Sequence, residues 1–379
     1  MIARGRVLGP APGSSPQNTS MEAASVPAQS APRVGRAREL VGQYGLIAVL
    51  LILPVVFAID DLSEEGDLSR LANNIIDGLS NGAIWALVAI GYTLVYGIIE
   101  LINFAHGEVF MIGSFVSASF FATLGLTAAT GTVGLVLGIA LSLLVAMLVP
   151  GIMNVMIERV AYRPLRAAPK LAPLITAVGF SFILQNVGLL WRGGSPDGIE
   201  DLVNSQKGLL TFGDVTITNG DVLAVAVTIP LVLLMTTFIN QSRLGKAMRA
   251  TAQDPEAARL MGINVDTTIS ATFLIGGMLA GAAGLIYAIY QTTIWYFQGF
   301  TAGLIAFTAA VMGGIGNLKG AVLGGFIIGI IQQMIDNRED ILLFPMGPEW
   351  TPLYVFSYLV LIMVFKPTGL LGEQTREAG

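Results

Sequence analysis

Apolar segments of about 20 residues recur along this chain of 379 residues, and they constrain its fold more than any other feature. An α-helix of that length crosses the ~30 Å hydrocarbon core of a bilayer. Charged residues make up only 12% of the sequence, against about a quarter in soluble globular proteins. The sequence therefore predicts an all-α polytopic membrane protein.

The apolar segments predict a bundle of about ten transmembrane helices. Two of them, 301–315 and 320–335, are short and are joined by "GGIGNLKG". These two are either full crossings or a re-entrant pair buried in protein. The predicted spans are 44–59, 72–99, 107–126, 132–157, 171–191, 222–240, 267–290, 301–315, 320–335 and 351–365.

The distribution of positive charge predicts a cytoplasmic N-terminus. With ten crossings, sixteen of the twenty Lys and Arg residues fall on one side of the membrane. Cytoplasmic loops of membrane proteins are enriched in these residues. The segments predicted to be cytoplasmic are 1–43, 158–170, 241–266, 316–319 and 366–379.

Composition divides the chain into four parts. Residues 1–43, rich in Pro, Ser, Ala and Gly, are predicted to form a disordered cytoplasmic arm. Residues 44–71 hold a first membrane helix and an acidic outer loop. The transmembrane domain occupies 72–372, and 373–379 form a cytoplasmic tail.

The stretch "LINFAHGEVFMIGSF" at 101–115 places polar groups between apolar runs. Asn103, the single histidine His106, and Glu108 lie here, and Asp77 lies near the outer end of the preceding span. Asn103 and Glu108 suit the N-terminus of the next helix, so the group could be a polar corner at the cytoplasmic turn that satisfies backbone groups. Alternatively, these four residues take part in translocation or gating, because ionisable groups inside membrane proteins commonly do.

Metal and nucleotide chemistry find little support in the sequence. There is one histidine and there are no cysteines, whereas metal sites usually need three or four ligands. The sequence has no G-x-x-x-x-G-K-[ST] motif, so ATP would have to be bound by another chain. We expect no cofactor and no catalytic residues, and hence a chain that is not an enzyme.

The coupling segment, residues 241–266, is polar but helical in pattern. Asp254 before Pro255 is a typical helix start, and Gly262 is a typical end, so a short helix is predicted from Pro255 to about Met261. It could lie on lipid or dock on a cytoplasmic partner. Charges of both signs, from Glu256 and Arg259 among others, favour a protein partner over anionic lipid.

Glycine is abundant, at 45 residues, and recurs at a spacing of four within apolar runs. Small residues at this spacing let helix backbones approach closely in a membrane, so we expect these glycines to pack helices against each other. A hinge role is the alternative. The pairs are Gly134 and Gly138, Gly277 and Gly281, Gly320 and Gly324, and Gly325 and Gly329.

Several stretches together resemble the LivH-type permease subunits of bacterial branched-chain amino acid ABC importers. They are "NGAIWALVAIGYTLVYGIIELINFAHGEVFMIGSF", "YRPLRAAPKLAPLITAVGFSFILQN", "GKAMRATAQDPEAARLMGIN", "FTAAVMGGIGNLKGAVLGG" and "FKPTGLLG". They keep the family's order over residues 72–372, and the resemblance fades before residue 72.

The resemblance implies an inner-membrane permease that works by alternating access. Its partners would be a LivM-type second permease or a second copy of this chain, two cytoplasmic ATPases and a periplasmic substrate-binding protein. ABC permeases often carry an E-A-A-x-x-x-G segment that docks on the ATPase, and the coupling segment matches it. The residues that would contact the ATPase are Asp254, Glu256, Ala257, Ala258, Arg259 and Gly262.

Two other functions remain open from the residues. A permease of the same family could import urea or short amides rather than branched-chain amino acids. An ion-coupled secondary carrier would work without ATPases and would need a charged binding site within the membrane. The segment that resembles an ATPase-docking helix argues against the carrier.

Overall fold

The computed structural model of the chain describes residues 34–64, 66–166, 168–169, 171–338 and 345–372. Twelve α-helices and four short strands form in this part of the chain. The helices are α1 (Val34–Glu64), α2 (Ser69–Ile99), α3 (His106–Thr123), α4 (Thr132–Ile157), α5 (Leu171–Arg192), α6 (Asn219–Gln241), α7 (Arg243–Gln253), α8 (Pro255–Leu260), α9 (Val265–Gln291), α10 (Gln298–Gly313), α11 (Leu318–Asp336) and α12 (Thr351–Phe365). A π-helical turn, Glu158–Tyr162, and a 3₁₀ turn, Arg163–Leu165, extend α4.

Six of these helices are long and apolar enough to cross a membrane, counted over the described residues. They are α2, α4 with its two following turns, α5, α6, α9 and α11. The chain is thus a multi-pass membrane protein, as predicted. The predicted count of ten crossings is not established, because α10 and α12 are shorter and α1 and α3 are not among the six.

The centre of the bundle is built from α2 and α9. Their most apolar windows are 83% and 78% buried, against 17% for α4 and α6. The glycine pairs show why the helices approach so closely. A methyl group added at Gly277 or Gly281 would overlap α4, and one at Gly325 or Gly329 would overlap α2. These glycines therefore pack helices, which confirms the interpretation of their spacing.

The two ends of the bundle differ in their secondary structure. We call the end that carries α7 and α8 the inner end, following the predicted orientation. At the opposite, outer end, strand β1 (Asp197–Gly198) pairs antiparallel with β4 (Thr293–Ile294), and β2 (Gly208–Phe212) pairs antiparallel with β3 (Val215–Thr218). Phe212 lies opposite Val215 in the β2–β3 hairpin, which leads directly into α6.

Helix α1 begins ten residues earlier than the composition suggested. Residues 34–43, assigned to the disordered arm, are helical, whereas 1–33 and 373–379 lie outside the described residues. The outer end of α1 is held by Arg338, which follows α11 and is buried. Its guanidinium bonds Asp60 at 2.5 Å, pairs with Asp61, and lies 4.3 Å from the ring centroid of Phe57.

Candidate functional site

The connection between α2 and α3 turns back into the bundle. Helix α2 ends at an exposed Glu100 in the left-handed conformation. The chain then returns, and the ring of His106 lies beside Gly91, where an added methyl group would be 2.5 Å from Nε2. Gly91 precedes the end of α2 by eight residues, so His106 lies about 12 Å from that end. The prediction of a corner at the cytoplasmic turn is therefore wrong for His106.

Asn103 holds this returning segment through its side chain. Its amide nitrogen donates to Asn154 of α4 at 3.2 Å, and its amide oxygen accepts from the hydroxyl of Tyr162 at 3.2 Å. Asn154 in turn donates to the carbonyl of Phe273 in α9 at 2.6 Å. The side chain of Asn103 does not cap α3, contrary to prediction; only its backbone carbonyl accepts from the N–H of His106. Non-helical backbone at this depth is tolerated because protein groups surround it.

His106 is completely buried between three core helices. Its ring packs edge-on against Tyr92 of α2, with centroids 4.7 Å apart. The close contact with Gly91 leaves room for an imidazole only because that position has no side chain. His106 is thus an integral part of the core rather than a solvated residue at its edge.

Glu108 is buried in the first turn of α3, as the sequence predicted for a carboxylate at that helix start. Its Oε1 accepts from the hydroxyl of Ser181 at 3.2 Å. Ser181 is the middle residue of α5, a helix of 22 residues that spans from the inner to the outer end. The carboxyl group therefore lies at mid-height in the bundle, where a polar group is expensive unless protein surrounds it.

Helix α10 also begins at mid-height and overlaps the start of α3. A methyl group at Gly107 would overlap the carbonyl of Gly299 and lie 2.6 Å from the Cα of Gly303. A methyl group at Gly299 would overlap the carboxyl of Glu108. We call this contact of Gly107 and Glu108 with Gly299 and Gly303 the mid-bundle crossing. From it α3 runs outward and α10 runs inward, so the N-termini of two broken helices meet there.

The crossing brings a carboxyl group to the positive ends of two helix dipoles. Aligned peptide dipoles leave partial positive charge at a helix N-terminus, which favours a nearby carboxylate. In membrane transporters, broken helices that end near mid-membrane commonly form binding or gating regions. The short 301–315 and 320–335 spans are not the re-entrant pair that was considered, since α11 alone is long and apolar enough to cross.

Asp77 does not join this group. It precedes Gly91 by fourteen residues on α2, about 21 Å along the helix axis. It is half-buried towards the outer end. Asn103, His106 and Glu108 are thus brought together and Asp77 is not.

Sequence reasoning did not single out several residues of this region. The spacing of Gly299 and Gly303 was a usable signal, since it is the same small-residue spacing seen elsewhere in the chain. An asparagine within the apolar run of α4 was another. The partners found only in the structure are Tyr92, Asn154, Tyr162 and Ser181.

The coupling segment folds as two helices at the inner end. Asp254 begins α8, and its carboxylate accepts from the backbone N–H of Glu256 at 2.9 Å and of Ala257 at 3.0 Å. Helix α8 runs from Pro255 to Leu260, and Gly262 follows with a φ of +82°. The predicted start, proline position and glycine end are confirmed.

Helix α8 is almost entirely exposed. Ala258 is its one buried residue, whereas Leu260 and Met261 are 89% and 83% exposed. Two large apolar side chains at the end of a short, solvated helix are unusual unless something covers them. The exposed residues of the predicted contact set are Asp254, Glu256, Ala257, Arg259 and Gly262.

A cluster of charges joins the start of α9 to the end of α4 just behind α8. Arg166 pairs with the buried Glu158 of the π-helical turn and, at 2.5 Å, with Asp266 of α9. Ser270 donates to the other oxygen of Glu158 at 2.7 Å. Tyr162, on the same turn, bonds Asn103, so one short turn contacts both the inner end and the returning segment.

Among the described residues, no three His, Cys, Asp or Glu side chains lie close enough to hold a metal ion.

A multi-pass bundle with a buried crossing of broken helices and an exposed helix at its inner end has the architecture of a membrane permease. The comparisons with known proteins agree. The chain belongs to the family described as branched-chain amino acid transport system / permease component, whose model matches residues 74–365. The resemblance drawn from the sequence motifs is confirmed.

Named relatives cover nearly their whole length. The permease protein BraD of the high-affinity branched-chain amino acid transport system of Pseudomonas aeruginosa is 40% identical over 309 residues, 81% of this chain and 97% of BraD. LivH of Escherichia coli K12 is also 40% identical over 309 residues, 79% of this chain and 94% of LivH. A probable LivM permease of Methanocaldococcus jannaschii is 28% identical over 152 residues, 38% of this chain and 44% of LivM.

Proposed function

We propose that this chain is the permease subunit of an ATP-driven importer that takes up branched-chain amino acids across the bacterial inner membrane. The observation that carries the proposal is the 40% identity to BraD over 97% of that protein's length. Relatives that similar, aligned from end to end, retain the same membrane architecture. The chain itself carries out no covalent chemistry, and separate ATPase subunits supply the energy.

The proposed partners are a LivM-type second permease, two cytoplasmic ATPases and a periplasmic binding protein. The partial match to a LivM permease supports a second, similar membrane subunit. The exposed α8, with Leu260 and Met261 at its end, supports docking of a cytoplasmic protein at the inner end. Contact through this helix would transmit ATPase closure to α9, which follows it directly.

We further propose that Asn103, His106 and Glu108 form part of the gate. Helices α3 and α10 both begin at mid-height, and their backbones touch at glycines without intervening side chains. Such a contact can slide or open without repacking large side chains. Asp77 is proposed for the outer entrance instead, because it lies on the same helix but far outward of the crossing.

Uptake into proteoliposomes tests the proposed function. The vesicles would hold this chain with its co-encoded membrane and ATPase subunits, with binding protein outside and ATP inside. We expect labelled leucine to accumulate only with ATP and to be displaced by valine but not by urea. Uptake of labelled urea that ignores leucine would overturn the substrate, and uptake by this chain alone under an ion gradient would overturn the mechanism.

A further inference from the structure

Helix α5 differs from the two other spanning helices that the bundle leaves largely uncovered. Between 17% and 22% of the most apolar windows of α4, α5 and α6 is buried. Equal exposure to lipid would predict equal apolarity, yet α5 is clearly the least apolar of the three. Something other than lipid alone is therefore expected against α5.

The polar residues of α4 and α6 avoid lipid. On α4, Ser142 and Asn154 are buried, and the exposed residues of the helix interior are apolar. On α6, Thr228 is buried, and the exposed Thr237 and Asn240 lie near its inner end. These two helices present the surface expected of lipid-facing helices.

Helix α5 instead exposes an amide and a glycine on its open face. The side-chain nitrogen of Asn186 donates to the carbonyl of Phe182 within the same helix, at 2.8 Å, and the residue is exposed. A methyl group at Gly179 would meet open space. An amide facing lipid has no further partner, whereas one facing another helix can bond across the contact.

The exposed residues of α5 follow the spacing of a helix-packing seam. Ile175 is 70% exposed, Phe182 is 57% exposed and Leu190 is 86% exposed, and with Gly179 and Asn186 they recur every three or four residues. This is the repeat by which two helices interlock side by side, and a single polar residue within it fixes the register. A small residue such as Gly179 lets the backbones approach.

Glu108 lies directly behind this seam, on the buried side of α5. Ser181, which bonds it, is only 7% exposed and separates the carboxyl from the open face by one layer of side chains. A lipid-facing position for α5 would bring that carboxyl close to hydrocarbon, which is unfavourable. A protein partner against α5 removes the difficulty and places the mid-bundle crossing beside a subunit boundary.

We propose that the open face of α5 is the interface with the second permease subunit, a LivM-type chain that applies its own corresponding helix to the seam. This inference rests on the proposed function, since it requires a second permease. The pairing of two similar chains predicts a nearly two-fold arrangement in which like helices face each other. The gate of each subunit would then lie next to the shared boundary.

Photo-crosslinking from single cysteines tests the interface, because the chain contains no cysteine of its own. Cysteine would replace Asn186 on α5, with Leu144 on α4 and Leu234 on α6 as matched exposed controls. Each variant would be purified with the co-expressed, tagged LivM-type subunit and the ATPases, labelled with a thiol-reactive benzophenone and irradiated. We expect an adduct with the LivM-type subunit from position 186 and none from 144 or 234.

Each contrary outcome identifies what has failed. Adducts from 144 or 234 but not 186, in a complex that transports leucine, would overturn the interface and leave the proposed function standing. An adduct between two copies of this chain would overturn the LivM-type partner. A complex that neither retains the second subunit nor transports with ATP would overturn the proposed function, and the interface with it.

A second measurement uses added bulk. Gly179→Trp should reduce the LivM-type subunit that copurifies by about tenfold, since helix contacts of this kind contribute ~1–2 kcal/mol. The matched change on α4, Leu144→Trp, should leave copurification unchanged. Because Gly179 has open space around it, the fold of the isolated chain should survive, and normal copurification with Gly179→Trp would overturn the interface.

Discussion

The mid-bundle crossing and the coupling segment solve opposite problems. The crossing buries a carboxyl, an imidazole and two amides, and fixes them through contacts between residues far apart in the sequence. The coupling segment is built from local contacts, such as the two hydrogen bonds within four residues that begin α8. The comparison teaches that a buried site depends on the whole bundle, whereas a docking helix needs only its own few residues.

The largest effect is expected at the glycine contact of the crossing. Gly107→Ala would force α3 away from α10, because the added methyl overlaps backbone that cannot move aside. Overpacking of this kind costs ~1–3 kcal/mol or more, so we expect a lower melting temperature in detergent and little assembled complex. Gly131→Ala is the control, since a methyl group there meets open space. Equal melting temperatures would show that the crossing is not tightly packed.

A smaller loss of stability with a large loss of transport is expected from Glu108→Gln. The amide has the same shape and can still accept from Ser181, so folding should be nearly normal. Leucine uptake should fall about tenfold, since hydrogen bonds to a charged group contribute ~1.5–3 kcal/mol. Expression, assembly and ATP hydrolysis should stay normal.

Two companion variants separate a role in the gate from a role in folding. Ser181→Ala removes only the partner hydroxyl and should have a milder effect on uptake. His106→Gln should follow Glu108→Gln in keeping assembly while lowering uptake. If both glutamine variants fail to fold, the polar group is structural and its proposed place in the gate is wrong.

The coupling segment should show the converse behaviour. Leu260→Asp combined with Met261→Asp should leave the melting temperature within the range of surface substitutions, about 0.5 kcal/mol or less. Both residues are more than 80% exposed, so the fold does not depend on them. ATP-dependent uptake should nevertheless fall strongly because the ATPase loses its apolar contact. Normal uptake with this variant would mean that α8 faces no partner.

The smallest effect is expected from Asp254→Ala. Loss of a helix cap costs ~0.5–2 kcal/mol, here confined to a helix of six residues. We expect partial loss of coupling and faster amide hydrogen exchange at Glu256 and Ala257, with the bundle unchanged. Asp254→Asn, which can still accept from the same N–H groups, should restore most of the protection. Unchanged exchange in Asp254→Ala would show that the cap does not stabilise α8.

The sequence predicted the coupling segment well because the chemistry of helix ends is local. Asp254, Pro255 and Gly262 specify where a short helix begins and ends, whatever surrounds it. The family resemblance likewise depends on motifs that are read along the chain. Packing of the central helices followed from the glycine spacing for the same reason.

The depth of the polar group could not be predicted in this way. A turn after an apolar run looks the same whether it ends at the membrane surface or returns into the bundle. The return depends on Asn154 and Tyr162, which lie 51 and 59 residues away from Asn103 in the sequence. Such pairings have no local signal, so the partners of Asn103, His106 and Glu108 emerged only with the fold.

The buried ion pairs of Arg338 have a consequence for the order in which the protein is made. Arg338 follows Asp61 by 277 residues, so the ribosome delivers the cation long after α1 has left it. Until then Asp60 and Asp61 stand without that guanidinium, and they tolerate the wait because they lie near the end of the helix, where water can reach them. The first helix to enter the membrane is therefore the one whose position is fixed late, when α11 is complete.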